Sequence, residues 1–93
     1  MTVDQIEETE REVRQCYMEF FGVVKQLEPK FPGGIICEAL NRLSGQIVGS
    51  FVFNAGKSRD EIAPIIGALA PTMINAGTHE FDQAANKALK EQV

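Results

Sequence analysis

The sequence predicts an all-α protein: a compact four- to five-helix bundle forming a single domain over residues 1–93, with a long N-terminal amphipathic helix and a proline-kinked third helix. Three observations lead there. Apolar residues recur at three- and four-residue steps over long stretches, which is the spacing of one helix face. Two capping sequences, Thr2-Val3-Asp4-Gln5 and Ser58-Arg59-Asp60-Glu61, stand where such stretches begin. No two segments read as strands that could pair with each other.

The first helix is expected over about 3–28. The Thr2 hydroxyl can accept from a free backbone N–H while Gln5 reaches back, and Asp4, Glu7 and Glu8 lie near the positive end of the helix dipole. Val3, Ile6, Glu10, Val13, Tyr17, Phe20, Val24 and Leu27 then form a heptad-type seam with one acidic interruption, Glu10. Glu7–Arg11 and Glu10–Arg14 are spaced as one-turn ion pairs. Up to Gln15 the seam is narrow on a solvated rod. Beyond it, "CYMEFFGVV" is apolar nearly all round and suits burial on more than one side. Pro29 ends the helix near Glu28.

After the turn-like "PKFPGG", a second helix is expected over about 34–53, with Ile36, Leu40, Leu43, Ile47 and Phe51 as its core stripe. Gly45, Gly49 and Ser50 put small residues on another side, where a neighbouring helix could come close. Ile47–Phe53 is rich in β-branched and aromatic residues, which also suits a buried strand, but no partner strand exists for it. A third helix over about 59–76 carries Pro64 and Pro71, each lacking a backbone donor. Pro71 fits best as the first residue of a new short helix, Gly77 as its end and Thr78 as the cap of a last helix over about 79–91.

Composition narrows function. The chain is 44% hydrophobic and 24% charged, with a net charge of −4. The acidity belongs to one end: Asp4, Glu7, Glu8, Glu10 and Glu12 precede a remainder whose charges balance. That opposes general binding to nucleic acid or to an anionic membrane. The acidic, amphipathic start lacks the pattern of a secretory signal, and the most apolar window, Ile35–Phe53, contains Glu38 and Arg42; a cytoplasmic protein is expected. Cys16 and Cys37, with apolar neighbours and no C-x-x-C spacing, read as buried, reduced thiols.

Catalytic and cofactor motifs fail on spacing. "VFNAGKS" (Val52–Ser58) has the outline of a phosphate-binding loop, but the motif needs a glycine five residues before Gly56, and Phe51 stands there. Bulky Phe51, Val52 and Phe53 are also wrong for a backbone that must wrap around phosphate oxygens. His79 is the single histidine; with Glu80 and Asp82 beside it a metal contact would still lack the convergent ligands of a stable site. No catalytic constellation, metal or cofactor is expected.

"EIAPIIGALAPTMI", Glu61–Ile74, resembles the core of the helix-turn-helix family: Ala63 and Gly67 are four apart, and Thr72-Met73 fall where the second helix presents a polar residue and then a core anchor. The resemblance implies a DNA-binding regulator using residues about 60–76, with Thr72 and Asn75 touching base edges. Against it, Pro64 interrupts the first helix, Leu69 sits at a turn position, and no Lys or Arg occurs from Ile62 to Asn86 to hold phosphates. The reading preferred from the sequence is a small non-catalytic interaction protein, a homodimer or an adaptor for another protein. Its interface would be the seam Val3, Ile6, Glu10, Val13 and Tyr17.

Overall fold

The computed structural model describes residues 1–92 and is helical: α1 (Val3–Leu27), α2 (Gly33–Asn54) and α3 (Ile62–Glu91) follow in order, with a 3-10 turn at Arg59–Glu61 leading into α3. The all-α class is as expected. The number of helices is not: three replace the four to five predicted, because the expected breaks at Pro71, Gly77 and Thr78 all lie inside α3. Pro64 occupies the first turn, where its missing N–H has no partner to lose. Pro71 removes one hydrogen bond, yet starting a fresh helix beyond it would require a new costly nucleus. Gly77 does not adopt the left-handed conformation that would end a helix. Ile47–Phe53, ambiguous in sequence, is helical.

The chain divides into two units, Met1–Arg42 and Leu43–Val93. In the first, Thr2 Oγ1 accepts from the Gln5 N–H at 3.2 Å and Gln5 Oε1 accepts from the Thr2 N–H at 2.9 Å, so the predicted capping box opens α1. Glu10 and Arg14 pair at 3.9 Å, while the expected Glu7–Arg11 pair does not form. At the far end, Lys30 and Phe31 donate to the Leu27 carbonyl, and the Pro32 carbonyl receives Ile35 and Ile36 to begin α2. Ile36 is buried in this unit, with Val24 and Leu27 half-buried.

In the second unit the packed residues surround the α2–α3 turn. Val48 and Val52 are buried, and Gly45, Gly49, Ile62 and Ile65 are half-buried. The least exposed side of α2 is therefore the one carrying Gly45 and Gly49. The predicted core stripe is open instead: Leu40, Leu43, Ile47 and Phe51 are exposed, and Ile36 alone of that stripe is buried. The apolar back half of α1 is likewise open at Tyr17, Met18, Phe20, Phe21 and Val23, and both Cys16 and Cys37 are exposed rather than buried. These thiols follow their apolar neighbours, which the chain itself leaves uncovered.

The turn between α2 and α3 is built at residue level. Gly56 has φ +70°, its N–H donates to the Phe53 carbonyl at 3.0 Å, and the Lys57 N–H donates to the Val52 carbonyl at 3.1 Å. This pair of bonds is the Schellman ending of a helix, with glycine at the left-handed position. Ser58 then accepts from the Asp60 N–H at 3.3 Å. The serine caps the 3-10 turn, and α3 itself starts at Ile62, its N-cap Glu61 making no side-chain capping bond.

Candidate functional site: two open apolar helix faces

The predicted interface residues share one face of α1. Val3 is 70% exposed, Ile6 53%, Val13 57% and Tyr17 58%, so the seam is open from Val3 to Tyr17. Its acidic member is held within the helix by the Arg14 pair on Glu10. Thr9, Glu12, Val13, Cys16, Tyr17 and Phe20 line an open, mostly apolar strip on this side. Tyr17 stacks on Phe21 with ring centroids 6.1 Å apart, and Lys25 Nζ lies 5.1 Å from the Phe21 centroid while pairing with Glu28 at 3.3 Å. Spaced four, four and three residues apart, these groups support one another down the helix without covering the seam.

The second open face was only partly legible in sequence. On α3, Ile66, Leu69, Met73, Ile74, Phe81 and Leu89 are all exposed. The uncharged run from Ile62 to Thr78 marked it, but dividing the segment at Pro71 hid its continuation through Phe81.

Other predicted sites are not assembled. Thr72 and Asn75 are exposed on α3, and residues 62–76 form uninterrupted helix, without the turn that separates the two helices of a helix-turn-helix. His79 lies within α3, exposed, rather than at a helix start. Among the described residues, no group of three or more His, Cys, Asp or Glu is placed to hold a metal ion. Likewise no helix among them is long and apolar enough to cross a membrane.

The accessible area of the chain is 8356 Å². A folded monomer of 10.2 kDa would expose about 5,300 Å². The excess is about 3,000 Å², and it is rich in large apolar side chains. Comparison with protein-family models, with curated proteins and with solved structures gives no significant match.

Proposed function

We propose that this chain is a non-catalytic helical interaction module that self-associates through the α1 seam Val3, Ile6, Glu10, Val13 and Tyr17. The observation that carries the reading is the apolar surface left open. Obligate homodimer interfaces bury roughly 2,000–5,000 Å² in total, about half of it on each partner, and the excess area of each chain is more than enough to supply that share. A second copy is the simplest cover, because matching seams are supplied by the same sequence and a two-fold arrangement closes. The outer side of α1, with Glu8 and Gln15, keeps such an assembly soluble.

Sedimentation of the wild type beside Ile6→Asp/Val13→Asp tests this reading. Both side chains are exposed in the chain, so their replacement disturbs no internal packing. The wild type is expected to sediment as a dimer and the variant to dissociate at concentrations at least about 100-fold higher, since two buried apolar groups give way to two desolvated carboxylates. A wild type that stays monomeric throughout removes the proposal, and assembly only with a different protein replaces it with an adaptor.

A further inference from the structure

The face on α3 carries a pattern of its own. Ile66, Ala70, Met73, Gly77, Phe81 and Ala84 recur at three- and four-residue steps along one side of the helix, and bulky and small side chains alternate along that line. The bulky three are exposed, and a Cβ added at Gly77 would meet nothing within 4 Å. Glycine weakens a helix interior. Nothing inside this chain requires the space it leaves. No charged residue occurs between Ile62 and Thr78, so a partner lying along this side meets no desolvated ion there.

We infer that α3 pairs antiparallel with α3 of a second copy about a two-fold axis near Asn75. In that register Ile66 faces Ala84 and Met73 faces Gly77 about a common centre at Asn75, while Ala70 and Phe81 meet with an offset of one residue. Ile66 and Met73 then meet small residues, and Phe81 lies within one residue of Ala70, the arrangement by which helix faces interdigitate. A parallel, in-register pair would set Ile66 on Ile66, Met73 on Met73 and Phe81 on Phe81 while leaving the notches empty. Antiparallel packing also opposes the two helix dipoles favourably. To within one residue the pattern is its own complement under a two-fold rotation, as a surface that meets a copy of itself requires.

Area supports a second face beyond the α1 seam. An interface of standard size removes about 800 Å² from each partner. That is well short of the excess of about 3,000 Å² on each chain, taken over the size of a folded monomer. The inference rests on the self-association proposed above and adds to it the element, direction and register of a second contact.

Two measurements test it, both on the full chain. Gly77→Leu fills the notch with a better helix former and meets open space within the chain. It is expected to raise the dimer dissociation constant roughly 10- to 100-fold by overpacking against Met73 of the second copy. In a Cys16→Ser/Cys37→Ser background, a short bis-maleimide linker is expected to join chains through Ile74→Cys, close to the axis. It is expected not to do so through Ile66→Cys, whose two copies stand about 27 Å apart along antiparallel helices. A dimer unaffected by Gly77→Leu, or one linked through Ile66→Cys and not through Ile74→Cys, overturns the α3 pairing and leaves the α1 seam standing. A wild type that is monomeric throughout overturns both.

Discussion

Gly56 is the residue on which the α2–α3 turn depends. Its φ of +70° is a conformation that residues with a Cβ rarely adopt, and the two Schellman bonds rely on it. Gly56→Ala is expected to lower stability by about 1–2 kcal/mol in denaturant unfolding, although there is open space for the added methyl. Capping and turn chemistry of this kind was legible in the sequence because it is local: Thr2 with Gln5, Gly56 and Ser58 each act on backbone groups within a few residues. Burial was less legible. Cys16 and Phe20 look like core residues by their neighbours, and a heptad seam reads the same whether its cover lies in the same chain or in another.

At the level of elements, α3 is where sequence and structure part. Two prolines, a glycine and a capping threonine each suggest an end, yet the helix runs from Ile62 to Glu91. Local signals state what a break would cost or gain at one residue; whether the helix continues is decided by nucleation over the whole segment. Pro71→Ala restores the backbone donor for the Gly67 carbonyl and is expected to stabilise the protein by about 2–3 kcal/mol, a shift in thermal midpoint readable by circular dichroism. A small loss instead would mean that the proline's shape serves the face on which α3 is packed. For α2 the error was one of side rather than of element. Its apolar stripe and its small-residue stripe were both visible, and the sequence did not say that Val48 and Val52 would be the buried ones while Ile47 and Phe51 remain open.

For the whole molecule the deciding quantity is area. The described chain buries less than half of the surface an extended chain of its mass would expose, where a domain of this size ordinarily buries about 60–65%. Ile36, Val48 and Val52 are its buried apolar residues, and two long helix faces stay open. Under the proposed self-association, folding and association are one process, with stability set by chain concentration. The most direct measurement is thermal unfolding followed over a hundredfold range of protein concentration. A two-chain unit of this size is expected to gain about 5–10 °C in Tm across that range. A midpoint that stays constant, with the protein folded throughout, would show that each chain covers its own faces and would contradict the account.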